Sequence, residues 1–188
     1  MPLTQYSTAT SLDGFIADAD DSLDWLFSVT KVGDEDRFAP FLANVGAFAM
    51  GAGTYRWMLR AESVLEHPEK WANWYGDRPC WVFSHRDLPV VSKANIRFVT
   101  GDVRPVHDAM TCAAGDKNIW LVGGGDLVGQ FSDHHLLDEI ILRYAPVTLG
   151  AGAPVLPRRL TGVFDLQEAV IVNGAFVEVS YRVRRTRL

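Results

Sequence analysis

The chain has 188 residues, 48% of them apolar and 22% charged, with 18 Lys plus Arg against 23 Asp plus Glu. That length suits one domain spanning 1–188, with a core that needs neither metal nor disulfide; the composition excludes a disordered chain, a collagen and a coiled coil. A net charge of −5 argues against non-specific nucleic-acid binding, and no apolar run reaches the roughly 20 residues of a membrane span.

No basic residue precedes an apolar stretch in Met1–Thr10, so no signal peptide is expected and the protein is expected in the cytoplasm. Cys80 and Cys112 then read as two reduced, buried thiols. Leu3–Thr10 and Phe15–Ala17 read as short extended segments parted by the Ser11-Leu12-Asp13-Gly14 turn, where Asp-Gly supplies the positive φ of a reversal. Asp18–Asp24 is an acidic loop, and Trp25-Leu26-Phe27 an apolar anchor behind it. Phe38, Phe41, Leu42 and Val45 recur at helical spacing, so a helix is expected over Asp34–Asn44, with Asp34, Glu35 and Asp36 in its first turn and Pro40 as a kink or first-turn end.

Ala47–Met50 is a continuous apolar run, the pattern of a strand buried on both faces, and Trp81–Phe83, Ile96–Val99 and Ile119–Val122 read as further buried strands. Helices are expected from Thr54 through Leu59, over Val106–Ala114 and over Asp126–Phe131. Asp138–Val147 and Val163–Val172 are strand-like, and Asn173-Gly174 predicts a type I′ hairpin into the alternating stretch 175–183. Strands alternating with helices over 45–131 imply an α/β fold: a largely parallel sheet with helices on both faces and an antiparallel hairpin at one side.

Three segments could carry chemistry. Val122-Gly123-Gly124-Gly125-Asp126-Leu127 leads a strand through three glycines into a helix, a turn that either cradles a phosphate or is simply tight. Its spacing fits neither a Rossmann fingerprint nor a Walker loop. Met50-Gly51-Ala52-Gly53-Thr54-Tyr55 repeats the arrangement, with Thr54 as the expected helix cap. Ser84-His85-Arg86 after a buried strand either grips a phosphate monoester or forms a solvated loop. No metal site is indicated: the adjacent His134 and His135 point apart and read as a solvated helix end. Trp71, Trp74 and Tyr75 serve either core packing or a pocket wall, and Arg182, Arg184, Arg185 and Arg187 either attract a phosphate or lie solvated.

In this order the segments resemble the dihydrofolate reductase-like superfamily, in particular the reductase domain of the riboflavin-biosynthesis deaminase/reductase. Ser11-Leu12-Asp13-Gly14-Phe15-Ile16-Ala17 is similar to its S-x-D-G-x-I-A loop, and Met50–Tyr55 to M-G-R-x-T-Y with Ala52 in place of Arg. The glycine turn at Val122–Gly125 matches, as do Ala145-Pro146-Val147 and Leu149-Gly150-Ala151-Gly152-Ala153-Pro154 with P-V-x-L-G-x-G-x-P. The resemblance implies a three-layer α/β/α fold around a mixed, mostly parallel sheet of about eight strands. It implies a reductase moving hydride from NADPH, with NADH as the alternative, to a heterocycle akin to 5-amino-6-(5-phosphoribosylamino)uracil. Dihydrofolate reduction and a non-catalytic ligand-binding relative are the alternatives.

By the same resemblance Ala9 and Ile16 would meet the nicotinamide. Gly51, Gly53, Thr54, Tyr55, Gly123, Gly124, Gly125, Asp126 and Leu127 would line the phosphates and ribose, and Ser84, His85 and Arg86 the adenosine 2′-phosphate. Asp34 or Glu35, with Asp13 as a second candidate, would supply the catalytic acid; Asp34–Asp36 also suit a helix dipole and Asp13 a plain turn. The Ser11–Ala17 loop would close over the site. Relatives in the family often pair, so a homodimer is a further expectation.

Overall fold

The computed structural model describes residues 2–29, 37–160 and 162–184. Its strands are β1 (Thr4–Thr10), β2 (Phe15–Ala17), β3 (Val45–Gly51), β4 (Cys80–Phe83), β5 (Ile96–Val99), β6 (Asn118–Gly123), β7 (Glu139–Tyr144), β8 (Ala153–Pro154), β9 (Phe164–Val172) and β10 (Phe176–Val183). The helices are α1 (Asp24–Phe27), α2 (Phe38–Ala43), α3 (Ala52–Ala61), α4 (Pro68–Tyr75), α5 (Val103–Ala114) and α6 (Gly125–Asp133).

Eight strands form one sheet in the order β5-β4-β3-β6-β1-β7-β10-β9. The six from β5 to β7 run parallel, and β10 joins β7 antiparallel and carries β9 at the edge. β2 and β8 make a separate two-stranded pair. The α/β/α architecture expected from the sequence is the one observed.

Alternation along each buried strand divides the core. Ala47 and Ala49 of β3 face α5 and α6, where Val106, Met110, Val128 and Phe131 are buried. Phe48 and Met50 face α3 and α4, against Tyr55, Met58, Trp71 and Tyr75. Trp25 of α1 anchors the acidic loop onto Val172 and Phe176 of the terminal hairpin.

Several local expectations change. The helix expected from Asp34 begins, in its described part, at Phe38 with Arg37 as N-cap, which puts Pro40 in the first turn, where no amide hydrogen is needed. Asp34, Glu35 and Asp36 lie outside the described residues, as do Arg185 and Arg187. β7 stops at Tyr144, three residues before Val147. Cys80 is buried, but Cys112 is exposed on α5; neither is bonded. At the hairpin, Asn173 and Gly174 take φ 52 and 64, as a type I′ turn requires, and the Ala175 amide donates to the Val172 carbonyl at 3.2 Å. Just past it Phe176 and Glu178 are the covered residues and Val177 the exposed one. Among the described residues no helix is long and apolar enough to cross a membrane.

Candidate active site

β3 and β6 are parallel neighbours, with Met50 opposite Gly123, so their C-terminal turns open side by side. Each turn leads directly into a helix whose N-cap is a glycine, Gly51 for α3 and Gly124 for α6, and neither cap has a side-chain hydrogen bond. Thr54, the expected cap, instead occupies the third helical position. The first amides of both helices therefore project into the crevice with the positive ends of two dipoles. A Cβ built on Gly53 or Gly124 would meet no atom within 4 Å, so both turns face open space. The Gly123–Gly124 peptide is cis.

The crevice continues into one cavity of about 760 Å³ along the strand ends. Ser84 and His85 after β4, and Thr100 and Gly101 after β5, line one end together with Gln130 of α6. Gly51, Gly53, Thr54, Gly124, Asp126 and Leu127 line the middle, with Ile16 and Ala17 of β2 and Thr8 of β1 beyond them. The far end is walled by Asp21, Leu23 and Phe27, by Trp57, Met58 and Glu62 of α3, and by Trp74 and Tyr75 of α4. The α4 aromatics thus divide: Trp71 is core, Trp74 is wall, and Tyr75 is a core residue that also reaches the cavity.

Nine of the fourteen residues assigned to the cofactor by resemblance line this cavity, and five stand elsewhere. Ala9 packs beside Trp25 on the opposite face of β1, and Thr8 takes its place because successive side chains alternate. Tyr55 is fully buried beneath α3, its hydroxyl donating to the Pro89 carbonyl at 2.7 Å. Burial lifts that phenol to about 12. Gly123 sits behind the turn near the Thr54 hydroxyl, and Gly125 is packed against Val155 and Pro157. Arg86 is exposed; its backbone binds Ser84, whose Oγ accepts from the Arg86 amide at 3.1 Å and donates to its carbonyl at 2.7 Å.

Asp13 is turned away from the cavity. Its carboxylate accepts from the Ser11 hydroxyl at 2.6 Å, the Gly150 amide at 2.7 Å and the Leu149 amide at 3.1 Å. Those donors, the Ser11 hydroxyl first, hold it down to about 2. The Leu12 amide donates to Val147 and the Val155 amide to Gly14, so the loop expected to close is already stitched to 147–155. Among the described residues the carboxylates that do line the cavity are Asp21, Glu62 and Asp126; the sequence assigns none of them to proton transfer, since an acidic loop or a helix end ordinarily meets water. No described group of His, Cys, Asp and Glu is arranged to hold a metal ion.

Comparison with known proteins adds to this geometry. Residues 62–169 match the family model "RibD C-terminal domain". The chain is 31% identical over 147 residues to YwjB of Bacillus subtilis (strain 168), a match covering 78% of each, and 26% identical to YyaP of the same organism, covering 78% of this chain and 76% of YyaP. A solved structure from Shewanella sp. PV-4, assigned to riboflavin biosynthesis, superposes with a TM-score of 0.77 at 26% identity, covering 97% of this chain and 99% of that one. The diaminohydroxyphosphoribosylaminopyrimidine deaminase/5-amino-6-(5-phosphoribosylamino)uracil reductase of Thermotoga maritima shares the fold, with a TM-score of 0.66 at 20% identity over 97% of this chain and 57% of that one.

Proposed function

Because the chain belongs to the RibD C-terminal domain family, we infer that it is a reductase using a reduced nicotinamide dinucleotide, NADPH by resemblance, to reduce a heterocyclic substrate. The observation that carries this reading is the pair of side-by-side helix N-termini, both glycine-capped, both open to one cavity, at adjoining strand ends. A diphosphate fits there: backbone amides and two dipole ends supply the donors, and the glycines leave room for its oxygens. Ala52 and the exposed Arg86 leave the backbone to do most of this, since no Lys or Arg lines the cavity among the described residues.

The bound dinucleotide would supply the hydride. This chain's own residues orient and exclude. Ser84, His85, Thr100 and Gly101 would receive the adenosine end over β4 and β5, which directs the nicotinamide toward Ile16, Ala17 and Thr8. The substrate then occupies the aromatic far end, held at near-attack distance by Trp57, Trp74 and Tyr75. A proton is needed at the heteroatom next to the reduced carbon. Water reaching the open cavity would deliver it, while Glu62, the most sheltered of the described carboxylates lining the cavity, with its side chain 27% exposed against 70% for Asp21 and 69% for Asp126, would serve as a hydrogen-bond acceptor at the substrate end.

The test is ligand-dependent melting followed by cofactor oxidation. NADPH at millimolar concentration is expected to raise Tm, and oxidation is expected with at least one member of a panel of aminopyrimidines and pteridines. No protection by either NADPH or NADH would overturn the reading.

A further inference from the structure

The two ends of the cavity differ in chemistry, and the far end selects a kind of substrate. Its walls are flat and apolar, Trp57 and Trp74 above all, and among the described residues the charged groups it presents are the carboxylates of Asp21 and Glu62. Among the described residues each carboxylate has one basic neighbour. Arg60 lies 3.6 Å from Asp21, and Lys70 lies 3.7 Å from Glu62 while donating to the Glu62 backbone carbonyl at 2.8 Å. Neither Arg60 nor Lys70 lines the cavity, so an entering ligand meets the carboxylates first. We propose that the substrate end takes a planar heterocycle bearing amino or ring N–H donors and no phosphate, with Glu62 as the carboxylate that recognises those donors.

Aromatic walls offer stacking to any flat ring, so specificity falls to the polar groups. A carboxylate accepts and does not donate, and therefore matches exocyclic amino groups or a protonated ring nitrogen. A phosphate on the same ligand would approach two like charges, Glu62 the more sheltered and Asp21 the more open, with no described cation lining the cavity beside it. This separates the chain from the Thermotoga maritima enzyme, whose uracil substrate carries a phosphoribosyl group. The proposal rests on the reductase reading for which end of the cavity is the substrate's.

Two ligands differing only in phosphate make the test: 5-amino-6-(ribosylamino)uracil and 5-amino-6-(5-phosphoribosylamino)uracil. Trp57 and Trp74 report binding by fluorescence quenching, with or without cofactor. We expect the dephosphorylated ligand to bind at least tenfold more tightly. Glu62→Gln should weaken it 10- to 100-fold, the loss of one charge-assisted hydrogen bond. Glu62→Lys should reverse the preference toward the phosphorylated ligand. Equal or tighter binding of the phosphorylated ligand by the wild type, or unchanged affinity in Glu62→Gln, overturns the proposal. The melting shift with NADPH, expected to survive in both variants, shows that they are folded. Its absence in the wild type would count against the reductase reading alone, since fluorescence reads the ligand preference without cofactor.

Discussion

A Cβ built on Gly51 would stand 3.7 Å from the amide nitrogen of Gly124, so the turns after β3 and β6 share one space. Gly53, two positions further on, has nothing within 4 Å of its own Cβ site. Gly53→Ala therefore separates folding from binding. In the first turn of α3 it replaces the more entropically costly residue, raising stability by up to about 1 kcal/mol. Its methyl group stands where the diphosphate is expected, so NADPH affinity should fall roughly tenfold, a loss of about 1.4 kcal/mol. Melting with and without NADPH measures both: a higher Tm for the free variant and a smaller shift with cofactor.

Gly125 gives the opposite result. Its Cβ site collides with the Val155 carbonyl oxygen and Pro157, backbone and ring atoms that cannot swing aside. Val155 is further held by the Tyr6 hydroxyl, which donates to that same carbonyl at 3.1 Å. Gly125→Ala should lower stability by about 1–3 kcal/mol through overpacking, read as a lower urea midpoint with unchanged slope. One glycine of the triplet is thus required for packing, and its neighbour Gly124 for open space.

That division shows what the sequence can and cannot disclose. Continuous apolar runs such as Ala47–Met50 are legible because a parallel strand is buried on both faces, and the glycine turns because few residues can occupy them. Which glycine faces open space depends on the distant Val155, and no local pattern encodes that. The family resemblance puts Ala9 toward the cofactor, but the pleat of β1 presents Thr8 to the cavity. Glu62 and Asp21 reach the site from a helix end and a loop, where acidic residues ordinarily meet water, so only the tertiary arrangement reveals them.

Glu178 is another such residue. Its side chain is 9% exposed and lies between two guanidinium groups, Arg37 Nε at 2.7 Å and Arg143 Nη2 at 2.5 Å. Removing the charge leaves both arginines facing a neutral amide. Because each is partly open to water, Glu178→Gln should cost about 1–3 kcal/mol, less than a fully buried pair would. The double variant Glu178→Leu/Arg143→Met should recover part of that loss, since it removes one of the stranded charges along with the carboxylate. Urea denaturation of the two variants gives the comparison; a double variant less stable than Glu178→Gln would show that the stranded Arg143 charge is not the source of the loss.

Asp13 predicts a dependence on pH. Its carboxyl sits at about 2 in the folded chain, against an ordinary 3.8, because the Ser11 hydroxyl and the Gly150 and Leu149 amides all donate to the ionised form. A depressed folded pKa contributes stability in full above the unfolded value and loses it as pH falls through the folded one. The contribution is therefore complete above about pH 4 and fades toward pH 2. Asp13→Asn cannot carry the charge, so its stability should lie below that of the wild type at neutral pH, and the gap should shrink as the solution is acidified across that window. Parallel urea titrations of the two proteins between pH 7 and about pH 2 measure it. The same substitution leaves one neutral acceptor oxygen where there were two charged ones, so the Leu149 and Gly150 amides are held less firmly and hydrogen exchange there should quicken at neutral pH; a gap that stayed constant through acid would place the stabilisation elsewhere than in the charge.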